Sequence, residues 1–218
     1  MSLSNRSAPL ARAFVLTELA KHLGALDSGL RVFMPFRTGE DPLVDRVAID
    51  SREAGTSSVF VALRGERADG HAYLEGLSAQ GLPCAMVETA WYESQSARAD
   101  TIRRNGTCLL VTPSPLALLQ AWAGEWRRTF RDLKCVGVTG SSGKTTVKDM
   151  LRAVLAPKGP LWASAGNLNS VIGSPLAMLA MPPETRLAVF EMAMSEKGEM
   201  AVLADMIRPD IAIITNIG

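Results

Sequence analysis

Histidine and cysteine are scarce, with two and three copies in 218 residues. His22 and His71 lie far apart, so there is no cluster of zinc-type ligands. Cys84, Cys108 and Cys135 are odd in number, well separated and set in apolar runs. They are expected to be buried free thiols in a reducing cytoplasm, not a disulfide framework. Net charge is nearly absent at +1, so no global field draws nucleic acid or an anionic membrane. No apolar run approaches the roughly 20 residues that span a bilayer. The opening stretch MSLSNRSAPL lacks the apolar core of a signal peptide, and residues 1–13 are expected to be a disordered leader. Repeats and low-complexity tracts are also missing. What remains, 47% apolar and 21% charged residues, is the balance of a soluble globular protein, and a monomer is the expected state.

The pattern along the chain alternates strands and helices. LTELAKHLGA has helical spacing and a stop at Gly24. LRVFMPFRTGEDPLVD is broken by Pro and Gly and reads as irregular. DRVAIDSR, SVFVALRG, PCAMVE and TCLLVTP read as strands, and HAYLEGLSAQG as a short helix. WYESQSARADTIRRNG reads as a polar helix or loop. Ser114 and Pro115 cap and start the helix LALLQAWAGEWRRTF, with a domain boundary placed near its end at Arg131-Asp132. In that helix Trp122 and Trp126 are spaced to pack against the protein. The pairs Arg103-Arg104 and Arg127-Arg128 read as solvated faces.

Beyond the boundary the unit of strand, loop and helix repeats. KCVGVTG leads to the helix KTTVKDMLRAVLA, and PLWASAGNLNSVIG gives a short strand and a polar loop. Ser174-Pro175 is expected to cap LAMLAM. TRLAVFEMA is a strand, SEKGEMAVLADMI a helix and PDIAIITNIG a final strand. Strands separated by helices imply a parallel, doubly wound α/β sheet. The runs LAVF and IAII suit strands buried on both faces. The first half, with shorter strands and more turns, is expected to be a smaller α/β domain. The resulting organisation is a leader at 1–13, a first domain at 14–112, a linker helix at 113–132 and a second domain at 133–218.

The chemistry concentrates in VGVTGSSGKTTVKDML, residues 136–151. A strand feeding a helix leaves free N–H groups at the helix start, at the positive end of its dipole. Gly140 and Gly143 let the backbone curl around phosphate oxygens. Thr139, Ser141, Ser142 and Thr146 complete the loop. Lys144 adds a charge for the outer phosphates, and the Thr145 hydroxyl can ligate a magnesium ion bound to them. The common spacing of such loops puts a glycine at position 138, where Val138 stands. Glu191 ends a strand at the edge where open α/β sheets place ligands; the alternative is a solvated carboxylate. Asn167 and Asn169 sit in a polar loop that lines the same cleft or hydrogen-bonds its own turn. Asn216, at the end of the last strand, is a weaker candidate.

Thr-Gly-x-x-Gly-Lys-Thr-Thr after an apolar strand resembles the ATP loop of the Mur ligases, the family that builds the peptide of bacterial peptidoglycan. IDSREAGTSSVFVALRGERADGHAYL resembles that family's UDP-sugar-binding domain. AGNLNSVIGSPLAML and AVFEMAMSEKGEMAVLADMIRPDIAIITNIG resemble its P-loop ATPase domain. The Gly-Asn-Leu-Asn loop and the Gly-Glu-Met helix are most similar to the branch that joins D-alanyl-D-alanine to UDP-N-acetylmuramoyl-tripeptide. The branch that adds the third amino acid shares the Asp-Ser-Arg and Asp-Gly-His patterns but fits GNLNSVIG less well. Outside the ligases, the alternative is a non-catalytic nucleotide- or UDP-sugar-binding module.

The resemblance implies a cytoplasmic ATP- and Mg2+-dependent amide ligase of cell-wall biogenesis, working through an acyl phosphate. It gives Lys144 and Glu191 catalytic roles and makes Thr145 and Glu191 magnesium ligands. Ser51, Arg52, Arg64, Gly65, Asp69, Gly70 and His71 then border the UDP-sugar site, joined by Asn167 and Asn169; for His71 alone, a hydrogen bond at a helix start is the default. Two positions depart from the family pattern, Ala193 for a glycine and Ser170 for an asparagine, and both bear on fine substrate geometry. In the family the central domain continues beyond the equivalent of Gly218 and a further domain follows. The resemblance therefore implies a partial ATPase domain with an unpaired sheet edge, in a chain that binds ligands without completing ligation.

Overall fold

The computed structural model describes residues 6–36, 41–65, 68–166 and 168–217. It divides into two compact units, Met1–Leu119 and Gln120–Gly218.

The first unit is built on a six-stranded sheet. Its parallel centre is β3 (Leu43–Ala48), β4 (Ser58–Val61), β5 (Cys84–Glu88) and β6 (Cys108–Thr112), paired in that order. Antiparallel strands close both edges: β1 (Ser7–Val15) on β3, and β2 (Arg31–Phe33) on β6. Residues 7–13 are therefore not a disordered leader. They belong to an edge strand of the sheet, whose backbone partners on β3 lie more than 25 residues on and leave no mark in a short N-terminal stretch. Similarly, the segment read as irregular contains β2 and the start of β3. Helix α1 (Leu16–Leu26) runs through Gly24, with Leu16, Leu19 and Leu23 buried along one stripe. The remaining helices of the unit are α2 (Leu74–Ala79), α3 (Thr89–Ser94) and α4 (Ser96–Arg104). They pack Leu74, Leu77, Trp91, Ala99 and Ile102 against Phe60, Ala85, Leu109 and Val111.

Helix α5 (Pro115–Thr129) begins as expected, with the Ala117 N–H donating to Ser114 Oγ at 3.2 Å. The unit division falls inside it, after Leu119, and not at Arg131-Asp132. The cause is its side chains, which bond to the second unit from Gln120 onward. Gln120 Nε2 donates to the Val171 carbonyl at 2.9 Å, and Trp126 Nε1 to the Met181 carbonyl at 3.1 Å. Arg127, read as solvated, is 8% exposed. Its guanidinium donates to the carbonyls of Ile207 (2.8 Å), Phe130 (3.3 Å) and Arg208 (3.1 Å). These are orphan acceptors at two helix ends, and Arg208 turns there into the left-handed region at φ 50°.

The second unit carries four parallel strands: β7 (Lys134–Thr139), β8 (Leu161–Ala163), β9 (Leu187–Glu191) and β10 (Ile211–Ile214). Their spatial order is β10-β7-β9-β8. Helix α6 (Lys144–Leu155) follows β7, α7 (Gly173–Leu179) follows β8, and α8 (Glu199–Ile207) follows β9. The chain leaves β7 in one direction across the sheet and β9 in the other. Right-handed crossovers then put α6 and α8 on opposite faces and open a crevice at the carboxyl ends of β7 and β9. The run IAII is not buried on both faces. β10 is the sheet edge, with Ile211 59% and Ile214 60% exposed, and pairs only with β7 among the described residues. Helix α7 is capped by Ser170, whose Oγ accepts from the Gly173 N–H at 3.1 Å. Ser174, expected to be the cap, is already inside the first turn.

All three cysteines are free and buried. Burial pushes the Cys135 thiol up to about 12, and a hydrogen bond with Cys108, together with burial, raises Cys84; neither is a reactive thiolate. Among the described residues, no helix is long and apolar enough to cross a membrane.

Replacing Arg127 by Met strands its three carbonyl acceptors. It is expected to lower unfolding free energy by about 3 kcal/mol in urea titration. Replacing the neighbouring Arg128, which makes a surface pair with Glu125, is expected to cost less than about 0.5 kcal/mol.

Candidate functional site

The crevice of the second unit brings together most of the residues expected to hold phosphates. Thr139 ends β7, and the next four residues form an open loop in which Ser141, Ser142 and Gly143 are exposed. Gly143 adopts φ 80° and precedes α6, whose first turn has no side-chain cap. Its leading N–H groups therefore face outward unpaired by any cap, at the positive end of the helix. Gly140 adopts φ 134°, and a Cβ there would fall 2.1 Å from Thr215 Oγ1. The left-handed backbone and this close approach both require glycine. Lys144 folds back over the loop, its Nζ donating to the Gly140 carbonyl at 2.6 Å and the Ser141 carbonyl at 3.4 Å.

The end of β10 braces the same loop. Asn216 Oδ1 accepts from Ser141 Oγ and from the Ser142 N–H, both at 2.9 Å, and its Nδ2 donates to Ser142 Oγ at 3.1 Å. Thr215 Oγ1 donates toward the Ser142 carbonyl at 2.5 Å. Asn216, a weaker candidate in the sequence, thus contacts the glycine loop directly.

Glu191 ends β9, the strand beside β7, and is 3% exposed. It is not the solvated carboxylate that the sequence left open. Its Oε2 accepts from Thr145 Oγ1 at 3.0 Å and its Oε1 from Asn169 Nδ2 at 2.9 Å. Its N–H donates to Ser164 Oγ at 3.0 Å. Lys148, on α6, places its Nζ 3.6 Å from Glu191 Oε2. Asn169 therefore reaches across to Glu191 instead of closing its own turn. Asn167 lies outside the described residues. Thr146 is exposed on the first turn of α6.

A hydroxyl and a carboxylate are hard oxygen donors of the kind magnesium takes. Two of them suit a metal that keeps several waters and binds phosphate oxygens as well. Among the described residues no group of three or more His, Cys, Asp or Glu could hold a metal without such help.

In the first unit the expected substrate residues form two loops at the carboxyl ends of β3 and β4. After β3, Asp50 is 8% exposed and accepts from Arg52 three times: from its N–H at 3.0 Å, Nε at 2.9 Å and Nη2 at 2.6 Å. These bonds hold its carboxyl down at about 2, and the guanidinium itself projects into solvent at 78% exposure. Ser51 lies between them in the turn. After β4, Arg64 and Asp69 form an antiparallel bridge, with Gly65 exposed at its end. A Cβ on Gly70 would meet the Leu63 nitrogen at 2.9 Å.

His71 is 1% exposed, with Nδ1 2.6 Å from Asp69 Oδ1 and Nε2 accepting from the Glu88 N–H at 3.1 Å. That acceptor role makes Nδ1 the protonated nitrogen. The Glu88 carboxylate takes Arg64 Nε at 2.7 Å. His71 therefore positions Asp69 and β5 from inside and does not offer its ring to solvent.

Sequence reasoning missed Asp50, Glu88, Lys148 and Ser164. Only Asp50 had a local signal, an aspartate two residues before an arginine in a turn.

Residues 138–218 match the Mur ligase middle domain. The UDP-N-acetylmuramoyl-tripeptide–D-alanyl-D-alanine ligase of Bacillus subtilis is 38% identical over 179 residues, which are 82% of this chain and 37% of that protein. A crystal structure of MurF from Acinetobacter baumannii superposes with a TM-score of 0.78 at 29% identity, over 97% of this chain and 42% of that one. The MurF ligase of Thermotoga maritima in complex with ADP does so with a TM-score of 0.66 at 31% identity, over 79% of this chain and 37% of that one. The chain thus spans well under half the length of these relatives. At 38% identity over 82% of its length with one relative, and with residues 138–218 matching the middle domain, the chain belongs to the Mur ligase family.

Proposed function

We propose that this chain carries the nucleotide-binding and UDP-sugar-binding parts of a cytoplasmic ATP-dependent ligase that joins D-alanyl-D-alanine to UDP-N-acetylmuramoyl-tripeptide. One observation carries this: a phosphate loop whose Thr145 hydroxyl is hydrogen-bonded to Glu191 on the neighbouring strand at 3.0 Å. The names of the relatives at 38% and 31% identity support the choice of substrates and of an adenine nucleotide.

In this proposal the uncapped N–H groups at the start of α6 hold the phosphates of ATP. Lys144 exchanges its bonds to the Gly140 and Ser141 carbonyls for the phosphoryl group in transfer. Thr145 and Glu191 would hold magnesium, which when bound supplies charge neutralisation at the phosphoryl oxygens. The substrate carboxylate takes the terminal phosphoryl group, releasing ADP. The dipeptide amine then attacks the acyl carbon, phosphate leaves with the electron pair of its C–O bond, and the nitrogen gives up one proton to the departing phosphate or solvent as the amide forms. In the first unit Arg52 and Arg64, held by Asp50 and Glu88, offer guanidinium groups to the diphosphate of the UDP-sugar. Ser51, Gly65, Asp69 and Gly70 form the loop edges around it.

Calorimetric titration of the 218-residue chain tests both halves. Saturable binding of magnesium-ADP and of UDP-N-acetylmuramoyl-tripeptide is expected, with the dipeptide form bound more weakly. Lys144→Ala is expected to weaken nucleotide binding by roughly tenfold or more, about 1.4 kcal/mol, and to leave UDP-sugar binding unchanged. Nucleotide affinity unaffected by this change would sink the assignment of the loop.

The Asp50–Arg52 pair gives a pH signature. Because Asp50 is held near 2 against an ordinary 3.8, its stabilising contribution is complete above about pH 4 and is lost as pH falls through 2. Arg52→Ala is expected to return the Asp50 midpoint toward 3.8, read by carboxyl NMR titration, and to weaken UDP-sugar binding without affecting ADP.

A further inference from the structure

One buried charge at the nucleotide site has no role in the scheme above. Lys148 lies one helical turn beyond Lys144 on α6, with its side chain 6% exposed against a Glu191 side chain 4% exposed. An ammonium is seldom placed so deep unless it is paired, because desolvation is costly. Its Nζ is 3.6 Å from Glu191 Oε2, the same oxygen that accepts from Thr145 Oγ1. Asn169 occupies the other oxygen. The carboxylate that would meet a divalent cation therefore already has a fixed positive partner on the oxygen facing Thr145.

The local charge count follows. Lys144 adds a second ammonium on the loop, bonded to the Gly140 carbonyl. The carboxylate is thus already balanced by the Lys148 ammonium, with a second ammonium on the loop that leads into the same helix, and its remaining partners, Thr145, Asn169 and Ser164, are neutral. A free divalent cation approaching Glu191 meets a site of its own sign at short range, in surroundings that screen it poorly. The phosphates of a nucleotide bring several negative charges at once and reverse that sign.

We propose that Lys148 is a positioning residue acting through Glu191: its buried ammonium balances and aims the carboxylate and keeps free divalent metal out, so that metal enters only with the phosphates of a nucleotide. The proposal rests on the nucleotide-binding role assigned above. It concerns a fixed charge, and needs no change of protonation. An alternative role confined to packing requires only the length of the side chain, and the two are separable because glutamine and arginine differ in charge while both can donate to Glu191.

The test is electron paramagnetic resonance of free Mn2+ titrated with the 218-residue chain, with and without ADP. The variants are Lys148→Gln, Lys148→Arg, Glu191→Gln and the double variant K148Q/E191Q. The unaltered chain and K148R are expected to bind Mn2+ only when ADP is present. K148Q is expected to bind Mn2+ without nucleotide, with affinity raised by roughly tenfold or more, and K148Q/E191Q to lose that binding. If K148Q does not fold, the two glutamate variants decide. K148Q/E191Q is expected to bind Mn2+ with ADP more tightly than E191Q, in which the ammonium has lost its partner. Nucleotide-free Mn2+ binding unchanged in K148Q, or equal affinities in E191Q and K148Q/E191Q, overturns the role of Lys148 and leaves the nucleotide site standing. Failure of the unaltered chain to bind ADP, with or without Mn2+, overturns the nucleotide site and this proposal with it.

Discussion

A carboxylate buried at the end of a strand must find its partners on other elements; Glu191 does so on two, and a third holds its backbone N–H. The hydroxyl of Thr145 and the ammonium of Lys148 come from α6, the carboxamide of Asn169 from the loop before α7, and its own N–H is taken by Ser164 beyond β8. Each contact satisfies a polar group that would be expensive to leave unpaired in the interior. Together they hold α6 over β9, and with it the glycine loop beside the end of that strand. The geometry of the site therefore follows from the demand of one side chain.

The loop is held from its other side by the end of β10. Asn216 and Thr215 engage the hydroxyl of Ser141, the N–H, hydroxyl and carbonyl of Ser142, and pass close enough to Gly140 to forbid a side chain there. Gly140 is thus constrained twice, by its left-handed backbone and by this neighbour. The donors at the start of α6 remain outside the brace, and their shared orientation is what makes the loop suited to an anion.

The first unit uses the same economy. Arg64, Glu88, Asp69 and His71 form a chain of hydrogen bonds and ion pairs in which His71 faces inward and Arg64 outward. Asp50 likewise orients Arg52 while being nearly inaccessible itself. In both loops an acid sets the direction of an exposed base, and in the first of them, at Asp50, that acid is buried.

The sequence alone determined the alternation of strands and helices, the parallel centre of the first sheet and the parallel second sheet, the glycine turn between β7 and α6 and the glutamate at the end of β9. These are local: apolar runs of strand length, a glycine turn and a helix start announce themselves within a dozen residues. It also marked Ser114 as a cap and Trp122 and Trp126 as packed. What it missed depends on partners far along the chain. The start of β1 looks like a disordered leader until β3 supplies its hydrogen bonds. Arg127 looks like a surface cation until three carbonyls, two of them about 80 residues away, surround it. Lys148 has nothing in its neighbourhood to distinguish it from any solvated helix lysine. Only the approach of β9 buries it against Glu191, because electrostatic pairing depends on distance in space and leaves no mark on the spacing of residues along the chain.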